Sequence, residues 1–399
     1  MNTNNLIVRN ANIVTPNLVI ENGSLIIENG RIKDICHHLQ SEIDNYPSID
    51  ANNNYLIPGI IDIHTDAMDL EICPRPSADF PIATAFRELE RRMCGCGYTT
   101  VYHSIHLGSR MYEKEIRSKY SRMRIFEEVY SASQKNALIK AKIHLRYEIT
   151  GIEEYQQAIE LIQKGYVDLF SFMDHTPSEE LLQNEEKLKA FAKRKRQSED
   201  QAKTYIEEEL KRPKLSKELI VELISILKNK NIAIASHDDD LPEQVNENYA
   251  MGIDLCEFPI NMETARRATE LGMWVIGGAS NVLRGGSNIG NLSVEEAISK
   301  RVINVLCSDY YPPAILHSIF KLFSNNIVTL PEAVNLASLN AAKAARISDK
   351  TGSIEIGKQA DFLIVNYSNL FASLLYTVVD GNVSGEFKTN KSRIYEFSV

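Results

Sequence analysis

Eight short, nearly continuous apolar segments fill the middle of the chain and restrict its fold more than any other feature. They read LIPGIIDIH, TTVYHSI, AKIHLRYEI, VDLFSFMDH, IAIASHDDD, DLCEFPI, MWVIGGAS and INVLCSDYY. Between them lie stretches such as EEYQQAIELIQKG and NMETARRATELG, with apolar residues at helical spacing. Strands apolar on both faces are the mark of a parallel sheet covered by helices, and eight of them predict a closed (β/α)₈ barrel. An open doubly wound sheet is the rival arrangement. It would place a glycine-rich nucleotide turn after its first strand, and this chain has none there.

The two ends differ from the middle. NLIVRNANIVTP and LVIENGSLIIENGRIKDIC open the chain, and GSIEIGKQADFLIVN, LLYTVVDGNVSGEF and RIYEFSV close it. Both ends are strand–turn–strand in character, with hairpin dipeptides Asn29-Gly30 and Asp380-Gly381. Residues 1–54 and 346–399 therefore predict one small β-sandwich domain built from both termini, with the barrel spanning 55–345. Within the barrel, residues from about 177 to 213 are charged, helical in pattern and too long for an ordinary strand-to-helix connection. They predict an inserted helical lid or subunit contact.

Composition narrows the function. The formal net charge is −9, so a global basic field for nucleic acid or an anionic membrane is excluded. Positive charge must be local, as in Lys193-Arg194-Lys195-Arg196, whose simplest explanation is a solvated helix face. The six cysteines include no CxxC pair and no zinc-finger spacing. Cys94-Gly95-Cys96 is too close for a disulfide and predicts a helix-to-strand turn. The first ten residues lack a basic region followed by an apolar one, and no apolar run is long enough to span a bilayer. The expectation is a cytoplasmic enzyme without a secretory leader.

Chemistry sits at the strand ends. The carboxyl ends of the strands in such a barrel converge on one face, where the active site forms. Here they carry His64-Thr65-Asp66, Glu148, Asp174-His175, His237-Asp238-Asp239-Asp240, Glu257 and Asp309. One such histidine alone is more often structural, and an Asp–Asp run is usually a solvated loop. Six of eight strands ending this way, in the correct polarity, point instead to a divalent metal held by nitrogen and oxygen donors. His64 and Asp66 are two apart in a strand and share a face. The expected geometry has one ion on His64, Asp66 and Asp309, a second on His175 and His237, and Glu148 as the bridge. The expectation is one or two ions, zinc or manganese first among the candidates. A bridging hydroxide would be the nucleophile, with Asp309 orienting it and taking its proton as general base.

Anion-binding candidates complete the set. Arg284-Gly285-Gly286-Ser287 follows the seventh strand, where phosphate sites of these barrels commonly form. Its glycines permit a nest of backbone N–H groups beside a cationic fork. Arg75 and Arg146 are further candidates. Arg146 lies two residues before Glu148, so a structural pairing with that carboxylate weighs as much as a substrate contact. Tyr310 and Tyr311 stand where they can line the pocket, although aromatics at a strand end usually serve packing.

PGIIDIHTD near the start of the barrel and GSIEIGKQADFLIV near the end of the chain resemble the amidohydrolase superfamily, a resemblance that spans nearly the whole chain. Two departures stand out. Asp66 replaces the second histidine of the usual His-x-His, and no lysine ends the fourth strand, which favours Glu148 as the bridge. HTDAMD, RPSADFP, HLRYE, FMDHTP, ASHDDD, EFP, NVLRGGSNIGN and CSDYYPP are similar, in the same order, to the branch that acts on ribose phosphonate triphosphates. That resemblance implies hydrolysis of α-D-ribose 1-methylphosphonate 5-triphosphate to the 5-phosphate and pyrophosphate, by a protein that commonly pairs as a homodimer. It also implies His64, Asp66, Glu148, His175, His237 and Asp309 as the metal set. An acidic chain that handles a polyanion needs local positive charge, so basic residues of the insertion closing over the substrate are a separate expectation. Two rival functions remain at this stage: another reaction of the superfamily, such as deamination or cyclic-amide hydrolysis, and a metal-free barrel acting as an assembly module.

Overall fold

The computed structural model describes residues 4–37, 46–75, 77–108, 119–195, 197–286 and 292–388, except for the side chain of Arg194. Its organising element is an eight-stranded parallel sheet. The strands are β6 (Ile60–Thr65), β7 (Tyr98–Leu107), β8 (Lys140–Glu148), β9 (Leu169–Met173), β10 (Ala233–His237), β11 (Leu255–Glu257), β12 (Trp274–Gly278) and β13 (Val305–Cys307). All eight coincide with the apolar segments of the sequence. They pair in chain order, and a parallel bridge between Thr65 and Asp309 joins the last to the first. Two hydrogen bonds make that closure: Asp309 N–H to His64 O at 3.1 Å and Asp66 N–H to Asp309 O at 3.0 Å.

Burial inside the barrel is layered. The lower layer is apolar, with Ile61, Tyr102, Leu169, Ala233, Leu255 and Val305 packed on Ala341, Ala342, Ala344 and Ala345. The alanines belong to the helix Leu339–Ala344 and its end, and their small side chains let it seat against the strand starts. Polar residues fill the upper layer, including His64, Ser104, His144, Ser171 and Glu257. Closing the lower end with aliphatic groups leaves the upper end as the entrance. Outside, the helices bury one stripe each. Lys217–Asn229, capped by Ser216, turns Leu223, Ile224 and Leu227 inward, the 3- and 4-residue spacing of a helix face.

The terminal segments form a second sheet. Its strands are β1 (Leu6–Val14), β2 (Val19–Glu28), β3 (Arg31–Cys36), β4 (Ser48–Asp50), β5 (Tyr55–Pro58), β14 (Phe362–Ser368), β15 (Phe371–Val379) and β16 (Asn382–Glu386). They run in the order β16-β15-β14-β5-β1-β2-β3, with β4 also on β1. Asn29-Gly30 and Asp380-Gly381 take positive φ at their turns, as those dipeptides require. Tyr55–Pro58 lies in this sheet, paired with β1 and β14, so the barrel begins at Ile60 rather than at residue 55. The sequence runs apolar without a break across the junction, which hides the change of sheet.

Gly59 marks that junction. A Cβ there would lie 2.2 Å from Thr99 Oγ1 and 2.3 Å from its Cγ2, on the neighbouring barrel strand. Lys140 then ties the two units together, its Nζ lying 2.7 Å from Asp361 and 2.8 Å from Asp380. Between β9 and β10, the helices Glu180–Gln183, Glu185–Lys195 and Glu199–Leu210 carry a small core of Leu188, Phe191, Ala192, Ala202 and Ile206. No helix among the described residues is long and apolar enough to cross a membrane. Gly59→Ala should cost about 1–3 kcal/mol through overpacking. The denaturation midpoint in urea reads this, and an unchanged midpoint would contradict the role given to the junction.

Candidate metal and anion site

The upper mouth of the barrel opens into a cavity of about 460 Å³. Its walls include His64, Asp66, Arg146, His175, His237 and Asp309 from the predicted set, together with Arg284 and Gly286. Asp238, Phe258, Asn281 and Tyr310 complete the parts that matter chemically. Three wall residues that follow strand ends hold left-handed backbone without being glycine: Asp238 at φ 57°, Phe258 at 53° and Asp309 at 59°. Such conformations cost on the order of 1 kcal/mol or more each, and they turn the chain sharply at the mouth so that these side chains face inward.

His64 is fully buried at the end of β6. Its Nδ1 lies 3.1 Å from Glu257 Oε1, and a carboxylate only accepts, so the neutral ring carries its proton there. Nε2 is then a bare lone pair, makes no hydrogen bond, and lies 3.7 Å from Asp66 Oδ1. Two acceptors facing each other across that distance are the arrangement a cation satisfies. Behind His64, Ser171 donates to Glu257 Oε2 at 2.9 Å and also meets His144 Nε2. The inward face of β8 supplies His144, Arg146 and Glu148 at a spacing of two.

On the opposite wall, His175 and Glu148 are locked together. Glu148 Oε1 accepts the His175 backbone N–H at 2.9 Å, and Oε2 lies 2.7 Å from His175 Nδ1. Both carboxylate oxygens therefore orient His175. The bridging position expected for Glu148 is not the one it takes here. Asp238 stands nearer the histidines, 3.3 Å from His237 Nδ1 and 4.0 Å from His175 Nε2. Among the described residues, two groups have the spacing of a cation site: His64 with His144 and Glu257, and His175 with His237 and Asp238.

Arg146 sits between the walls. Nη1 donates to Asp66 Oδ1 at 2.5 Å, and Nη2 lies 3.1 Å from His237 Nε2. Its partner is thus Asp66 and not Glu148, because residues two apart on one strand stand roughly 7 Å apart while neighbouring strand ends converge. Burial alone would push the Asp66 carboxyl up, but Arg146 and His64 hold it below its ordinary value. Asp309 goes the other way, raised to about 6 by burial and by the Asp66 charge. Burial opposes a charge on His237, yet Asp238 beside it wins and raises its pKa. Three carboxylates (Asp66, Asp238 and Asp309) thus share this cavity with two guanidiniums. An anionic substrate needs further positive charge there, which a divalent ion provides.

The anion candidates separate. Arg284 ends the helix Ala279–Arg284 at the mouth, its Nη1 3.4 Å from the Tyr310 hydroxyl. The glycines after it do not form an open nest. Gly285 caps the helix at φ 83°, and both glycine N–H groups bond back to Asn281 O, at 3.1 and 3.0 Å. A helix end must satisfy its last carbonyls, and that demand takes the amides an anion would use. Arg75 is exposed and is not part of the cavity wall. Ser287 and Arg196 lie outside the described residues, and the side chain of Arg194 does too. Sequence reading named Asp238 and Glu257 at strand ends without giving them a role, and passed over His144 and Ser171. The alternation in His144-Leu-Arg146-Tyr-Glu148 was the signal for His144, since it shares the inward face with the two residues that were chosen.

The model of the amidohydrolase family matches residues 55–388. Alpha-D-ribose 1-methylphosphonate 5-triphosphate diphosphatase of Escherichia coli (strain K12) is 32% identical over 328 residues, covering 80% of this chain and 85% of that protein. Among solved structures, N-acetylglucosamine-6-phosphate deacetylase from Pasteurella multocida has a TM-score of 0.62 at 13% identity, covering 95% of this chain and 99% of its own. Dihydropyrimidinase from Brevibacillus agri NCHU1002 has a TM-score of 0.65 at 12% identity, covering 95% and 94%. At such identities these two speak for the fold alone.

A ligand that binds only the folded state stabilises it by mass action, about 2.7 kcal/mol at a hundredfold excess over Kd. Loading the chelator-treated protein with Mn²⁺ or Zn²⁺ should therefore raise its melting temperature. A melting curve indifferent to both ions would count against a cation site in this cavity.

Proposed function

Because the chain belongs to the amidohydrolase family, we propose that it is a metal-dependent hydrolase of α-D-ribose 1-methylphosphonate 5-triphosphate, splitting it into the 5-phosphate and pyrophosphate. The observation that carries this reading is the 32% identity, over 80% of the chain, to the diphosphatase of that name. The cavity supports it by placing Arg146 and Arg284 on the same walls as the cation-type residues.

The divalent ion would be held from among His64, Asp66, His175, His237 and Asp309, and when bound it supplies Lewis-acid charge to phosphoryl oxygens and acidifies water. The protein's own groups do the rest. Arg284 stands at the mouth, exposed enough to take the outer phosphates of an incoming triphosphate. Asp309, part-buried behind it, accepts the proton of the attacking water. Arg146 cannot follow the substrate out, because Asp66 and His237 fix both ends of its guanidinium. It presents a rigid positive charge to a phosphoryl group whose negative charge develops on the equatorial oxygens. The reaction breaks the bond between the bridging oxygen and the phosphorus it joins to the ribose side, with water supplying the new oxygen.

Incubation with the ribose triphosphate, scored for pyrophosphate, and with a panel of cyclic amides, scored for ring opening, tests the assignment. Pyrophosphate release alone is expected; ring opening without it overturns the reading. Replacing Asp309 with Asn should lower kcat about 10²- to 10⁴-fold, the usual worth of a positioned proton acceptor. Arg284→Ala should act mainly on KM, raising it roughly 10- to 100-fold for a lost charged hydrogen bond. A kinetically silent Arg284→Ala would move the phosphate site elsewhere.

A further inference from the structure

The His237 nitrogen that a second cation would need is already bonded to a guanidinium. Arg146 is almost wholly buried, 2% exposed, on the cavity wall. It is held along its length, with Nε 3.2 Å from Met173 Sδ, Nη1 on Asp66 Oδ1 and Nη2 on His237 Nε2. Arginine only donates, so His237 meets it with the lone pair of Nε2. A neutral imidazole has one such lone pair, which leaves the proton on Nδ1, and Nδ1 faces the Asp238 carboxylate at 3.3 Å. With Arg146 in place, His237 has no lone pair left for a metal.

His64 is arranged in the opposite sense. Glu257 takes the proton side of its ring, and Nε2 faces the cavity with no hydrogen bond. Asp309, whose backbone is bonded to that of His64 and Asp66, stands beside it. One side of the cavity is thus open to a cation, and the other is served by a fixed cation of the chain's own.

We propose that Arg146 takes the place of one of two cations, so that the site holds a single divalent ion, on the side of His64, Asp66 and Asp309. The inference rests on the metal-dependent reading of the same cavity. It accounts for the aspartate at position 66. A second histidine there would offer a nitrogen to the metal and nothing to a guanidinium, whereas Asp66 Oδ1 accepts from Arg146 and also stands 3.7 Å from His64 Nε2, so that one carboxylate oxygen meets both sides.

Metal content tests this without any substrate. The full chain is stripped with chelator, loaded with excess Mn²⁺ or Zn²⁺, freed of unbound ion by gel filtration, and analysed for metal per chain. One equivalent is expected for the wild type, and any other value overturns the proposal. Arg146→Met should then bind two equivalents, because it frees His237 Nε2 on the side of His175 and Asp238; a folded variant still holding one shows that the guanidinium does not exclude the second ion. If that variant fails to fold, a paired comparison decides. His237→Ala should retain one equivalent and His64→Ala should lose it, and the reverse pattern overturns the assignment. A failure to hydrolyse the ribose triphosphate would leave these values untouched, so the two readings fail separately.

Discussion

The closure of the barrel and the construction of its active mouth depend on the same few atoms. The chain passes from β13 into left-handed backbone at Asp309, and the two bonds that join the first and last strands run between Asp309 and the backbones of His64 and Asp66. Asp62 reinforces the joint from inside, its Oδ1 accepting from the backbone N–H groups of His64 at 3.3 Å and Ser308 at 3.1 Å. Three cation-type side chains are therefore placed by the hydrogen bonds that complete the fold. Strain at Asp309 persists because releasing it would open the sheet.

Charge decides what the mouth can do. Carboxylates drawn partly out of water without enough positive charge are expensive, and this cavity gathers three half-buried ones beside its histidines. Arg146 and Asp66 satisfy each other in part, yet Asp309 is still raised to about 6 by burial and its neighbour Asp66. The remaining imbalance favours a cation beside His64. The buried Glu257, with Ser171 and His144 behind it, fixes the His64 ring so that one nitrogen faces the cavity. A ring held at one nitrogen presents the other in a single orientation, which is what tight coordination requires.

Much of this architecture was legible in the chain. Strand apolarity, helical spacing and the hairpin dipeptides carry local physics, and each acts through neighbours close in sequence. His64, Asp66, His175, His237 and Asp309 could be chosen because strand ends of a parallel barrel converge whatever the exact register. The role of Glu148, the partner of Arg146 and the use of the glycine amides after Arg284 differ from the sequence reading for one shared reason. Glu148 could face an ion or His175, Arg146 could pair with Glu148 or with Asp66, and the glycine amides could meet an anion or a helix end. Each is a competition between partners, and sequence lists the competitors without their distances.

The sequence by itself determined a β/α barrel with a terminal sheet, a mouth lined by histidines and carboxylates, and the arginines available to meet an anion. Only the tertiary structure decided that Asp66 faces Arg146, that Glu148 is used in orienting His175, and that Asp238 joins the histidines. Hydrogen bonds and ion pairs fall off within a few ångströms. Which of several chemically competent residues are partners is therefore settled by how the strands stagger around the barrel, a property of the closed sheet as a whole.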